Sequence, residues 1–137
     1  MIKVIIDTNL WISFLIGKRL KTMEALFKMD NVEIFVCKEL INEILDVAKR
    51  PKLQKYIKEE DIELLERLIN TYCTKHTIDH QSELPIRDAK DLYLLSLCES
   101  IPADVILSGD DDLLSLGSND RFKIMRFNDF YFSLIGN

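Results

Sequence analysis

Short β-branched runs alternating with amphipathic helical stretches constrain this chain more than any other feature. The first run, Val4-Ile5-Ile6, stops at three small polar residues, Asp7-Thr8-Asn9. An apolar pattern then resumes through Leu10, Trp11, Ile12, Phe14 and Leu15. A buried strand that ends in a carboxylate and turns at once into a helix accounts for this order. Further strands are predicted over residues 33–37, 74–78, 104–107 and 122–125. Helical spacing covers 18–30, 39–49, 59–72, 88–99 and 113–116, and Asn128 is placed to cap a terminal helix that runs to Leu134. Helices alternating with short apolar strands predict an α/β fold, a parallel sheet with helices on both faces. In such sheets ligands bind beyond the carboxyl ends of the strands, where Asp7 stands.

At 137 residues the chain is expected to form one domain with a full core. No apolar run approaches the ~20 residues of a membrane span, and the opening residues lack the pattern of a signal peptide. Cys37, Cys73 and Cys98 are widely spaced and outside any C-x-x-C motif, so they read as reduced thiols in a cytoplasmic protein. His76 and His80 lack a third nitrogen or sulfur ligand for zinc. The net charge of −5 argues against holding nucleic acid by bulk electrostatics. It leaves room for an enzyme that neutralises its own carboxylates with bound cations.

Four acids stand out by context. Asp7 ends the first strand, and Asp110 follows the strand at 104–107 after Gly109, which is suited to a tight turn. Asp91 is expected in the first turn of a helix that is apolar on nearly all sides, with Leu94 and Leu95 three and four residues on. Glu43 flanks the apolar stripe of its helix, whereas Asn42 and Asp46 point away. Each has an ordinary reading as a cap, a first-turn acid or a surface glutamate. Asp88 fits an N-cap better than a ligand. Thr8 or Asn9 is also able to cap the first helix and leave Asp7 free.

Convergence of these acids is what would give them chemistry. Two unit charges 4 Å apart repel by ~4 kcal/mol at an effective dielectric near 20. Apart from Arg87 and Lys90, no base lies beside the motifs. An all-oxygen cluster of this kind suits a hard cation, Mg²⁺ or Mn²⁺, which binds substrate phosphates and activates water. The single strong basic run is Lys49, Arg50, Lys52, Lys55 and Lys58. It is either a solvated face or an arm that guides RNA phosphates toward Glu43.

The stretches IIDTNLWISFL, CKELINEILDVAKRPKL, RDAKDLYLLSLCES and VILSGDDDLLSL together resemble a PIN-domain ribonuclease, of the subgroup related to the VapC-type toxins of toxin–antitoxin systems. The resemblance implies a sheet ordered 3-2-1-4-5, with acidic ligands at Asp7, Glu43, Asp91 and Asp110 and a less uniform acid at Asp112. It places supporting polar groups at Asn9, Ser13 and Ser108. Ala89 and Ser108 depart from the family's usual proline and threonine, and neither change removes a ligand. The implied reaction is endonucleolytic hydrolysis of single-stranded RNA with one or two Mg²⁺ or Mn²⁺ ions, leaving a 3′-hydroxyl and a 5′-phosphate. The implied partners are a cognate antitoxin and a second copy of the chain.

Three other readings compete with this one. A PIN fold that only docks an antitoxin or another protein would need no intact acidic set. A phosphoacceptor receiver domain needs an acidic pair after the first strand, and a haloacid-dehalogenase-type phosphatase needs Asp-x-Asp. Asp7-Thr8-Asn9 supplies neither pattern.

Overall fold

In the computed structural model, which describes residues 1–86, 88, 91–117 and 121–135, five parallel strands form one sheet in the order β3-β2-β1-β4-β5. This is the expected α/β fold and strand order. β1 (Ile2–Ile6) is central, with β2 (Val32–Val36) on one side and β4 (Val105–Leu107) on the other. Ile5 is in register with Phe35 and with Ile106. Val4, Ile5 and Ile6 are fully buried, as expected where a strand is covered on both faces; Lys3, nearer the strand's start, is half-buried and its ammonium bonds to the Ile101 carbonyl at 3.2 Å. β3 (Cys73–Lys75) and β5 (Lys123–Met125) close the two edges.

Helices α1 (Thr8–Ile16), α2 (Leu20–Phe27), α3 (Lys38–Ala48), α4 (Glu59–Tyr72), α5 (Leu92–Ser100), α6 (Asp111–Leu116) and α7 (Phe127–Ile135) connect and flank the strands. Each buries the stripe read from the sequence, for example Leu40, Ile44 and Ala48 on α3. The 3₁₀ turn Pro51–Leu53 links α3 to α4, whose acidic first turn is Glu59, Glu60 and Asp61.

Several boundaries differ from expectation. The edge strand β3 covers Cys73–Lys75, not 74–78, because α4 runs straight into it and β2 offers no partner backbone past its own end. Regular α5 begins at Leu92, so Asp91 is its N-cap residue and not a first-turn residue. The Asp91 N–H donates to the Asp88 carbonyl at 3.0 Å, a tighter turn that leads into the helix. Residues 87, 89 and 90, which include two of the bases and the alanine noted above, lie outside the described residues.

Asn128 falls inside α7 and does not cap it. The helix starts at Phe127, which is buried with its ring 4.9 Å from that of Phe14. At the end of α1 the left-handed residue is Lys18 (φ 57°), not Gly17. The Lys18 ammonium reaches the Tyr56 carbonyl at 2.8 Å and the Asp61 carboxylate. Gly109 has no positive φ and open space where a Cβ would stand, so its turn does not require glycine. Gly117 (φ 75°), at the end of α6, does.

Candidate active site

The ladder of backbone hydrogen bonds carries on one residue past the strands. Asp7 N–H donates to Leu107 O at 3.0 Å, Ser108 N–H to Met125 O at 3.0 Å, and His76 N–H to Val36 O at 2.9 Å. Asp7, Ser108 and His76 therefore stand at one level along the carboxyl edge of the sheet. Asp7 is only 3% exposed. Its Oδ1 accepts the Leu10 N–H at 2.8 Å and caps α1. Asp7 itself, and neither Thr8 nor Asn9, is thus the cap, because the strand delivers its carboxylate onto the helix's open N–H groups.

The second Asp7 oxygen accepts the Ser108 hydroxyl. The Ser108 oxygen in turn accepts the Asp110 N–H at 2.9 Å. Asp110 Oδ1 accepts the Asp112 N–H at 2.8 Å and caps α6. Ser108 is buried and joins the acids that end the two central strands.

Glu43 turns inward from α3, half-buried, while Asn42 and Asp46 are exposed. Its Oε2 accepts the Tyr93 hydroxyl at 2.8 Å, and that hydroxyl lies 3.4 Å from Thr8 Oγ1. The sequence offered Thr8 only as a candidate cap and did not single out Tyr93. A tyrosine two residues past Asp91 on a helix apolar all round was the available signal, since a buried phenol requires a partner. Burial above all, and then the Glu43 carboxylate, raise the Tyr93 pKa and keep it a neutral donor.

Asp91 brings the fourth carboxylate. Its Oδ2 is buried and has no hydrogen-bond partner among the described residues. Burial pushes its pKa up to about 7, and the charges of Asp110, Asp88, Asp7 and Glu43 push the same way. Burial likewise raises Asp7 to about 6, against the opposing bonds from Ser108 and Leu10 and with the charges of Asp110 and Glu43 adding to the rise. The fold therefore gathers Asp7, Glu43, Asp91 and Asp110 within one another's electric field.

Asp112 is half-buried and lines a cleft of about 610 Å³ with Pro85, Ile86, Ser115 and Leu116. Asn9 and Ser13 are exposed one turn apart on α1. Lys49, Arg50, Lys52 and Lys55 are exposed. The Lys18–Tyr56 bond ties their segment to the far end of α1, a helix about 13 Å long that starts at Asp7. The arm thus runs from the C-terminal end of α3, whose C-cap residue is Lys49, six residues past Glu43, to the far end of α1.

The donor set is all oxygen, which is the chemistry of a hard divalent cation. Among the described residues no three acidic, histidine or cysteine side chains are drawn into the spacing of a single ion's ligands. Asp7 Oδ1 and Oδ2 and Asp110 Oδ1 are each held by protein donors. The unpartnered Asp91 oxygen is a group that a cation would satisfy.

Sheet and site together define an α/β domain with a carboxylate centre at the carboxyl ends of β1 and β4. Residues 3–112 match the PIN domain family, and the chain belongs to it. PIN domains are generally nucleases. The chain is 29% identical over 134 residues to the uncharacterized protein MJ1680 of Methanocaldococcus jannaschii, a match that covers 95% of this chain and 83% of that protein. The PIN domain of T. brucei RRP44 has the same fold, with a TM-score of 0.52 and 14% identity over 98% of this chain and 82% of that one. Among the described residues no helix is long and apolar enough to cross a membrane.

Proposed function

We propose that this PIN domain is a divalent-metal-dependent endoribonuclease that hydrolyses phosphodiester bonds of single-stranded RNA, and that it serves as the toxin of a toxin–antitoxin pair. The observation that carries the nuclease reading is the buried, unpartnered oxygen of Asp91 inside a cluster of four carboxylates. A buried carboxylate oxygen facing like charges is stable in its ionised form only beside a positive partner.

Asp7, Asp91 and Asp110 would hold one or two Mg²⁺ or Mn²⁺ ions, with Asp112 at the rim. A bound ion supplies positive charge for the phosphate and an activated water. Ser108 ties the Asp7 carboxylate to the Asp110 backbone, and the Asp112 N–H holds the Asp110 carboxylate. Glu43 keeps one oxygen on the Tyr93 hydroxyl and offers the other to the cation or the attacking water. Attack at phosphorus breaks the bond to O3′ and leaves a 3′-hydroxyl and a 5′-phosphate. Asn9 and Ser13 stand on the exposed face of α1 as polar support. Lys49, Arg50, Lys52 and Lys55 attract the RNA backbone at a distance from the scissile bond.

The toxin role, the antitoxin partner and a homodimer rest on the resemblance of the motifs to VapC-type toxins. Cleavage of a labelled single-stranded RNA by wild type and by Asp110→Asn, purified identically, tests the enzyme reading. Cleavage by wild type alone, abolished by EDTA and restored by Mn²⁺, is expected. Equal activity of the two proteins would overturn the site and favour a PIN fold that only docks a partner.

A further inference from the structure

The sequence pointed to the run at Lys49–Lys58 for RNA contacts, but the fold assembles a second cationic feature at the carboxyl edge of the sheet, at the other end of α3. A cleft of about 370 Å³ is lined by Lys38, Ile41, Asn42, Lys75, His76 and Thr77. Lys38 and Asn42 lie one turn apart on α3, directly before Glu43. Lys75 pairs with Val36 in the last row of the sheet, and His76 extends the ladder at the level of Asp7. His76 and Asp7 are two strands apart, about 10 Å at the usual spacing.

The two lysines are exposed, and no carboxylate pairs with either among the described residues. The His76 Nδ1 bonds to the Thr77 carbonyl at 2.8 Å and its ring centroid lies 6.4 Å from that of Phe35 at 70°, which leaves Nε2 for a ligand. A cleft with two ammonium groups and an amide is complementary to a phosphate oxyanion.

We infer that the cleft formed by Lys38, Asn42, Lys75 and His76 is a subsite for the RNA strand, which seats a backbone phosphate on the two lysines two or three nucleotides from the scissile bond. The spacing follows from about 10 Å across the sheet edge and ~3.4 Å of rise per stacked nucleotide. This rests on the ribonuclease reading and gives the strand a path across the sheet edge, from the carboxylates over β1 toward β3. Neither lysine belongs to the basic run, and they lie 37 positions apart in the chain.

The test measures binding of a fluorescein-labelled single-stranded RNA by anisotropy over a salt series, on an Asp110→Asn background so that the strand is not cut. Lys38→Ala/Lys75→Ala is expected to weaken binding about tenfold at low salt. It should also flatten the plot of log K against log salt by ~0.7, the loss of one phosphate contact on a single strand. Lys38→Arg/Lys75→Arg should retain both affinity and slope. Thermal melting of each variant within a few degrees of the parent separates binding from folding. Absence of RNA binding by the parent and by wild type would overturn the ribonuclease reading as well. Binding by the parent with an unchanged slope in the alanine pair, or equal loss in the arginine pair, would overturn the subsite alone.

Discussion

Protonation of the carboxylate cluster should stabilise the metal-free protein, the reverse of ordinary acid denaturation. Asp7 is held at about 6 and Asp91 at about 7, against 3.8 for a free aspartate. The native state therefore binds these protons more tightly than the unfolded chain, and stability falls as pH rises from the unfolded value through the folded one. For Asp7, which is almost fully buried, ionisation costs the fold about 3 kcal/mol in total. Asp91 is partly exposed, and its larger displacement is discounted by about half for solvent screening.

Between about pH 5 and about pH 8 the two together should remove about 3 kcal/mol, half from each. In a domain of this size that lowers Tm by roughly 10 °C. His80 acts in the same direction, because bonds to Asp79 and then Glu99 raise its pKa and its stabilisation is lost as pH rises. The informative quantity is therefore the difference between proteins. In EDTA, Asp91→Asn should lose about half of the carboxylate-driven fall in Tm, as followed by circular dichroism. Millimolar Mn²⁺ should raise the Tm of wild type most at the alkaline end. A wild-type Tm that is flat or rising from pH 5 to 8, or a slope unchanged in Asp91→Asn, would refute the reasoning.

Ser108→Ala removes the donor to Asp7 and the acceptor for Asp110 N–H in a buried position, so it should cost about 1–3 kcal/mol, seen as a drop in Tm of several degrees. Tyr93→Phe leaves Glu43 Oε2 without its phenol donor; RNA cleavage should slow about tenfold, while Glu43→Gln, which keeps an acceptor for Tyr93, should slow it much more. Gly109→Ala meets open space and no positive φ, so thermal melting should show it neutral or stabilising by up to ~1 kcal/mol. Lys52→Ala/Lys55→Ala should weaken RNA binding and reduce its salt dependence; unchanged binding across a salt series would remove the arm from the RNA path.

Local pattern alone carried the fold a long way. Val4-Ile5-Ile6 followed by Asp7 reads as a central strand because a stretch covered on both faces has no position open to water for a polar side chain. The stripes of α3 and α4 are likewise set by helical period against one apolar face. The acids at Asp7 and Asp110 were legible because they follow strands, and Glu43 because it flanks a stripe. What the sequence could not supply is anything that depends on two distant segments meeting. The Ser108 hydroxyl that joins Asp7 to Asp110, and the Tyr93 phenol that holds Glu43, bridge residues 101 and 50 positions apart. Asp7 also proved to be the cap of α1, because hydrogen-bond geometry at the strand–helix junction chooses among three adjacent residues that all have the right chemistry. Lys38 and Lys75 share a cleft only because β2 and β3 are neighbours in the sheet. Composition and periodicity determined which segments are strands and helices and which acids lie near their ends; only the tertiary structure, by bringing those acids within one another's field and burying Asp7 and one Asp91 oxygen, decided which of them are held away from their ionised form.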